Sequence, residues 1–471
     1  MLVLSSLLFA CTPQTEIAID PSSASAYGHL DLTIDLTESG LEASEVRRVV
    51  IGGVDAVELR ADGESLTVYA VGSPEVGAVD VVLHADEAVT FEGAFEVSAP
   101  IDLGGPLVAI GGSVTHGSQN AIIDRNTTTH GTGAYVGKAF GAYFPLPLIH
   151  DGLFPDMAAE DVGPAPDCTL PDAGVHSLNA AIEALGALFD DDAGETNFAL
   201  GRLNPDHVVY NLAVPASAVA DTLNAPPTDD IGEQILWHLV HDPAGDINDP
   251  VPDSQIDLLE GIGPAVVFSV DLLANDAIDG VMAQPGLDPE LMRSPEEVEP
   301  YLVELLDRVQ ATGALLFVAD VPDLLTLPPA TDSVAYELAQ GTSQEEIDAL
   351  LDDIRARTNA LNSLLYDVAA GYDNVQVVRF ADEVDRAAST GIEAGEFVLT
   401  NQRFAGLLSL DGLHFSDAGY ATTANLFVAA ISDELGLDAP LLDVGEVTLT
   451  DRFSPAALAA SGLVAADCPT P

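Results

Sequence analysis

The chain has 471 residues, of which 76 are acidic and 14 are Lys or Arg, giving a formal charge of −62. Its hydrophobic share of 48% supplies a sizeable core, and the length exceeds what one domain needs. A surface of this sign, with Lys138 as its single lysine, excludes nucleic acid and anionic membrane patches as partners. It fits a saline habitat, where salt screens self-repulsion, or a lineage bias toward acidic surfaces.

In chain order, Met1 to Ala10 are apolar and lead into Leu8-Phe-Ala-Cys11. Residues 1–11 look like a short lipoprotein signal ending in a lipobox, with Cys11 as the lipidated residue. Phe9 is bulky for that motif, and no Lys or Arg precedes the apolar run; a buried N-terminal strand is the other reading. No later stretch is long and apolar enough to span a bilayer, so membrane contact is expected through the lipid anchor only. Residues 12–25 are polar and read as a linker. With Cys11 lipidated, Cys168 and Cys468 remain; in an oxidising envelope they can pair, or they stay as two isolated buried thiols. No Cys/His spacing suggests zinc.

From Tyr27 to Val97 the hydrophobic period is two, as in His29-Leu-Asp-Leu-Thr-Ile-Asp-Leu36. Short runs at Val49 to Ile51, Ser65 to Ala70, Ala78 to Leu83 and Phe91 to Val97 follow between turn signals, which predicts a small all-β sandwich over residues 26–98. The segment resembles IPT/TIG immunoglobulin-like domains through Ile51-Gly-Gly-Val-Asp-Ala56, Gly77-Ala-Val-Asp-Val-Val82 and Phe91-Glu-Gly-Ala-Phe95. That resemblance implies a spacer or adhesive module without a catalytic role.

From residue 105 strand-like runs alternate with helical patterns, the signature of an α/β sheet. Leu107 to Ile110 reads as a strand, Gly111-Gly112 break it, and Ser113 follows at the edge where open α/β sheets place ligands. Such a turn exposes Oγ and offers backbone N–H groups to negative charge, although Gly-Gly-Ser alone is also an ordinary turn. His116, three residues on, reads as lining the pocket mouth. Pro205 to Val219 reads as strand, turn, helix, with the Ala216 N–H as a candidate oxyanion donor. Ala265 to Val270 is a second strand-like run; Asn275 beyond it can donate to an oxyanion, or one of Asn275 and Asp276 caps a helix while the other acts.

Helices are predicted over Ser177 to Phe189, Ile231 to Val240, Pro300 to Thr312, Ser343 to Ala369 and Tyr420 to Leu435, and a strand over Ala314 to Val318. The Asp/Pro-rich stretch Asp242 to Asp253 and Asp190-Asp-Asp192 read as solvated loops, since neither has calcium-loop spacing. Asp411 and His414 stand i, i+3 around Gly412, so the carboxylate can reach Nδ1 and leave Nε2 free to take a serine proton. Residues 438–471 read as an irregular tail around a strand at Gly445 to Thr450.

The segments Leu107 to Gly117, Asn211 to Ala216, Val266 to Asp276 and Asp411 to Tyr420 together resemble the SGNH/GDSL hydrolase family over residues 105–437. Ser113 matches the family's nucleophile, Asn211 to Pro215 its second block, Asn275-Asp276 its third, and Asp411 and His414 its acid and base. Gly112 stands where the family has aspartate, Ala216 and Leu273 where it has glycine, and Phe415 where it has proline. An alanine still carries a backbone N–H. The resemblance implies a flavodoxin-like three-layer α/β sandwich with a parallel central sheet, a triad of Ser113, His414 and Asp411, and an oxyanion hole of Ser113, Ala216 and Asn275. It also implies ester hydrolysis without a cofactor or metal, on a small-molecule, lipid or glycan ester.

The sequence therefore points to a serine ester hydrolase in the bacterial cell envelope, an outer-membrane lipoprotein on the periplasmic or surface face. Two alternatives stay open: a carbohydrate O-acetyl esterase, and a non-catalytic surface-binding lipoprotein that keeps the hydrolase fold as scaffold.

Overall fold

Alternating side chains build the first unit of the chain, and continuous apolar runs build the second; the division falls at Pro100. The computed structural model describes residues 17–120, 122–151, 201–224, 231–245, 251–282 and 286–460. Cys11, Cys168, Cys468 and the helix expected at Ser177 to Phe189 lie outside the described residues, as does Asp190-Asp-Asp192.

The first unit consists of two sheets. One contains β1 (Ala18–Asp20), β3 (Leu30–Asp35), β6 (Val57–Asp62) and β7 (Ser65–Ala70) in the order β1-β3-β7-β6. The other contains β2 (Ser23–Ser25), β4 (Arg48–Ile51), β5 (Val54–Asp55), β8 (Gly77–His84) and β9 (Ala88–Ser98) in the order β2-β9-β8-β4-β5. In β3 the period of two puts Leu32 and Ile34 inside and Asp31, Thr33 and Asp35 outside. Their register partners on β7, Val68 and Leu66, are buried as well. This alternation is what one buried face and one wet face demand. The stretch read as a linker differs: Ala18–Asp20 pairs antiparallel with β3, and Ser23–Ser25 pairs parallel with β9. Both are edge strands, and only Ile19 of β1 is buried, so their composition is that of a polar segment.

In the second unit β10 (Leu107–Ala109), β11 (Val266–Ser269), β12 (Leu315–Ala319) and β13 (Val375–Val378) form a parallel sheet in that order. Every residue of β10 and β11 is buried, so both faces are covered and the runs show no alternation. Helices Thr132–Phe140 and Asp417–Leu435 pack on each other, as do Gln255–Ile262 and Pro295–Thr312. Beyond β10 the chain at Tyr210–Leu212 runs parallel to it: Ala109 N–H donates to Tyr210 O, and Leu212 N–H to Ala109 O, both at 2.9 Å. The stretch that reads as a strand from Pro205 is reduced to this bridge. The chain thus steps outward from β10 and returns on its other side as β11. That reversal is a topological switch point, where open α/β sheets bind their ligands.

The end of the chain also differs from its reading. Val444–Thr450 is a helix, not a strand. Asp443 caps it through the Glu446 N–H, and Thr448 Oγ1 donates to Val444 O within the helix. Gly445 lies so close to the backbone of Gly395 that a Cβ there would sit 2.8 Å from its nitrogen. Packing thereby overrides the strand preference of Val447-Thr-Leu-Thr450. Among the described residues no helix is long and apolar enough to cross a membrane, and no group of His, Cys, Asp and Glu could hold a metal ion.

Candidate active site

The turn that carries the candidate nucleophile Ser113 begins where β10 stops. Gly111 has φ 131°, and a Cβ there would sit 2.6 Å from Ser269 Oγ; only glycine satisfies both the conformation and the space. Gln255 clamps this residue, accepting its N–H at 2.8 Å and donating to its carbonyl at 3.0 Å. Ser113 then opens a single helical turn, Ser113–His116, which Gly117 ends at φ 107°. Ser113 is half-buried. The flanking N–H groups of Gly112 and Val114 donate to Asp271, at 2.9 and 2.7 Å. The Ser113 N–H between them has no acceptor among the described residues.

The acid–base pair sits on the loop before helix Asp417–Leu435. Gly412, at φ 72°, folds the chain back, and Asp411 Oδ2 meets His414 Nδ1 at 2.6 Å. Asp411 Oδ1 accepts the N–H groups of Leu413 and His414, both at 2.9 Å, and lies 3.0 Å from Ser409 Oγ. Asp411 is 8% exposed and His414 6%. Burial alone would raise the Asp411 carboxyl, but the charge and hydrogen bond of His414, with the two backbone donors, outweigh it and hold the carboxyl below its ordinary value. The pair is therefore an ionised acid that fixes which imidazole nitrogen carries the proton.

A set of long-range bonds ties this loop to residues 118–120, just after the Ser113 turn. Ser118 N–H donates to Ser113 O at 2.9 Å, and the next two residues reach across. Asn120 donates its N–H to Ser409 Oγ at 3.1 Å and accepts the Leu410 N–H at 2.8 Å through Oδ1. Gln119 Nε2 donates to Asp417 Oδ1 at 2.6 Å, and the Tyr420 hydroxyl donates to Ser118 O. Asn120 adopts the left-handed conformation, φ 53°, to make its two bonds, a conformation asparagine tolerates better than most residues. Ser113 Oγ and His414 Nε2 form no hydrogen bond with each other in this structure; such bonds often tighten only when substrate arrives.

The third wall is the turn Val214–Ser217, closed by Ser217 N–H donating to Val214 O at 3.1 Å. Pro215 occupies its second position and Ala216 its third, with φ 68°. That pattern is a type II turn, which calls for glycine where Ala216 stands. The backbone accepts the strain, and the exposed Ala216 N–H has no acceptor among the described residues. Asn275 lies between this turn and Gly112. Its Nδ2 donates one hydrogen to Ser217 O at 2.7 Å, and a Cβ on Gly112 would overlap the same nitrogen. The second Nδ2 hydrogen has no acceptor among the described residues. Asn275 Nδ2 and Ser217 O both lie within reach of a Cβ on Gly112, so the turn that carries Ala216 stands beside the one that carries Ser113.

One neighbour differs from its sequence reading, and a second falls within the alternatives that reading left open. His116 does not line a pocket mouth: it is fully buried, with Nδ1 2.7 Å from Ala213 O and Nε2 3.4 Å from Thr128 Oγ1. Burial lowers its pKa to about 4 despite the Ala213 bond, with Arg202 acting in the same sense as burial, so it is a neutral structural histidine. Asp276, rather than Asn275, does the capping. It accepts the Val219 N–H at 3.1 Å at the start of helix Val219–Leu223 and pairs with Arg293 at 3.2 Å. Burial pushes its carboxyl up to about 6 in spite of both contacts. Sequence reasoning missed Asp271, Gln255, Ser409 and Asn120; no local pattern marks them, because each acts on a partner more than a hundred residues away.

The family described as GDSL-like Lipase/Acylhydrolase matches residues 107–427, a span that starts at β10 and ends within the helix following His414. No curated protein matches the chain.

Proposed function

Because the chain belongs to the GDSL-like lipase/acylhydrolase family, an ester-hydrolysing family with an SGNH α/β fold, we propose that Ser113, His414 and Asp411 are its catalytic triad. In this reading Ser113 Oγ attacks the ester carbonyl carbon while His414 Nε2 takes the hydroxyl proton. Asp411 holds the ring and stabilises the imidazolium that forms. The carbonyl oxygen becomes an oxyanion held by the Ser113 N–H, the Ala216 N–H and Asn275 Nδ2. Collapse of this intermediate breaks the bond to the alcohol oxygen, which leaves with the proton from His414. Water, deprotonated by the same nitrogen, then releases the acid from Ser113.

One observation carries the reading: a buried carboxylate–imidazole pair is tied by hydrogen bonds to the loop after Ser113, and the Ser113 N–H has no acceptor among the described residues. The Ala216 departure leaves its N–H in place, which favours a working enzyme over a retained scaffold. The substrate is an ester of a small molecule, lipid or glycan; a carbohydrate O-acetyl ester is the shortest acyl case. Turnover of a p-nitrophenyl series from acetate to decanoate, lost in Ser113→Ala, supports the reading and ranks acyl length. No turnover of any member, with no reaction toward a serine-directed phosphonate, makes the chain a binding protein.

The apolar run ending in Leu8-Phe-Ala-Cys11 supports a lipid anchor in the cell envelope, with the sheet unit that resembles IPT/TIG domains acting as spacer or adhesive module. Cys11→Ser then shifts the protein from the membrane fraction to the soluble one. A wild-type protein found soluble and unacylated by mass spectrometry overturns the anchor.

A further inference from the structure

The nucleophile turn has an N-terminus with donors to satisfy and no side chain of its own to do it. The first N–H groups of a helix have no partner inside it. The residue before Ser113 is the place for a capping side chain, yet Gly112 has none. A Cβ there would overlap Asn275 Nδ2, approach Asp271 Oδ2 to 2.9 Å and lie 3.2 Å from Ser217 O. The space at Gly112 is already taken by groups that border Ser113. Any acceptor for this helix end has to come from elsewhere in the fold.

It comes from the end of the neighbouring strand. Asp271 follows β11, is 4% exposed, and turns its carboxylate under the turn. Oδ1 accepts the Gly112 N–H at 2.9 Å and the Thr115 hydroxyl at 2.6 Å, with the Thr115 N–H at 3.4 Å; Oδ2 accepts the Val114 N–H at 2.7 Å. Thr115 Oγ1 in turn accepts the Val270 N–H at 2.9 Å, so the turn is bolted to the β11 end through two consecutive residues. A carboxylate is acceptor-only and can serve several donors at once, and such charge-assisted bonds are about twice as strong as neutral ones.

The pattern of use is selective. The carboxylate consumes the N–H groups of Gly112, Val114 and Thr115 and leaves out that of Ser113, which has no acceptor among the described residues. We propose that Asp271 is the positioning residue of the nucleophile: it fixes the Gly112–Thr115 backbone so that, of the N–H groups in this turn, that of Ser113 is kept for the oxyanion. This role rests on the reading of Ser113 as nucleophile. Asp271 touches no substrate and acts only through the backbone. Its effect therefore belongs to the transition state, where the Ser113 N–H bond strengthens, and not to ground-state binding.

The test is steady-state kinetics of Asp271→Asn on a p-nitrophenyl ester, beside Ser113→Ala and with thermal melting as the check on folding. An asparagine must turn an NH2 toward either the Gly112 and Thr115 donors or the Val114 N–H, which displaces the turn. A misplacement of this kind costs up to about 10²-fold in kcat, with KM changed less than about threefold and the rate of phosphonate labelling falling in parallel. A folded Asp271→Asn with wild-type kcat, or with a raised KM and unchanged kcat, overturns the role while the Ser113 assignment stands. If Asp271→Asn does not fold, the Thr115 pair decides. Thr115→Val should lower kcat several-fold at constant KM, and Thr115→Ser, which keeps the hydroxyl, should not; equal kcat in the two overturns the role. If the phosphonate fails to label Ser113 in the wild type, the nucleophile assignment and this role fall together.

Discussion

The two halves of the site are built in opposite ways. On the acid–base side nearly every polar atom has a partner: Asp411 takes two backbone N–H groups, the imidazole and the neighbourhood of Ser409 Oγ, in a loop that is almost fully buried. On the proposed oxyanion side the Ser113 and Ala216 N–H groups and one Asn275 Nδ2 hydrogen have no acceptor among the described residues, and Ser113 and Ala216 are open to solvent to different degrees. The carboxylates follow the same division: that of Asp411 is held below its ordinary value, whereas burial pushes that of Asp276, next to Asn275 in the chain, up to about 6. The contrast shows where preorganisation is needed. A base must be oriented before substrate arrives, so its bonds are made within the protein; an oxyanion hole must keep donors for a charge that exists only during the reaction.

The comparison breaks most severely at Asp411. Asp411→Asn leaves the Leu413 and His414 N–H groups looking for an acceptor, so the amide oxygen turns to them and the NH2 faces Nδ1. Nδ1 must then accept, Nε2 carries the proton, and the ring can no longer take one from Ser113. The expected loss in kcat is about 10⁴-fold, measured at saturating ester with folding checked by circular dichroism; a loss below tenfold would show that the ring is oriented by something else. Asn275→Ala should cost about 10²–10³-fold in kcat with KM nearly constant. A raised KM with kcat preserved would assign Asn275 to ground-state binding instead.

Stability against pH sharpens the contrast between the carboxylates. Asp411, with a depressed folded value, contributes stability above the ordinary carboxylate range that is lost as the pH falls through its folded value. Asp276 has the opposite sign: its contribution is complete below its unfolded value and is lost as the pH rises through about 6. Asp276→Asn should therefore remove part of the decline in unfolding free energy between about pH 4 and 7, at most about 3 kcal/mol. Denaturant melts at several pH values check this, and parallel curves for wild type and variant would refute it. The smallest effect is expected at Ala216. Ala216→Gly relieves a left-handed alanine and keeps its N–H, so it should stabilise by about 1 kcal/mol and change kcat by less than about twofold; a large loss of kcat would mean that the strained turn itself sets the donor position.

What could be read in the sequence was local. The apolar runs that became β10, β11 and β12 are bounded by Gly, Asp or Pro. Ser113 follows a Gly-Gly break, Asp411 and His414 stand three apart, and Asn275 lies just beyond a strand, so short-range chemistry marks each of them. What could not be read depends on tertiary partners. Asp271 and Gly112 are 159 residues apart, and Asn120 and Ser409 are 289; nothing in either segment announces the other. His116 was legible only as a histidine near the nucleophile, because its burial is decided by Ala213 and Thr128. The strand-like Val447-Thr-Leu-Thr450 turned helical for a similar reason: the close approach to Gly395 and the Asp443 cap outweigh propensity. The short edge strands at Ala18–Asp20 and Ser23–Ser25 carry too little apolar pattern to stand out from a linker.

The central claim is that Ser113 is the group these two halves serve. Reaction of the wild-type protein with a fluorophosphonate, followed by proteolysis and mass spectrometry, tests it directly. A single adduct should appear on the peptide containing Ser113, form in proportion to the loss of ester hydrolysis, and vanish in Ser113→Ala. An adduct on another residue that tracks the loss of activity, or full hydrolysis by Ser113→Ala, would contradict it.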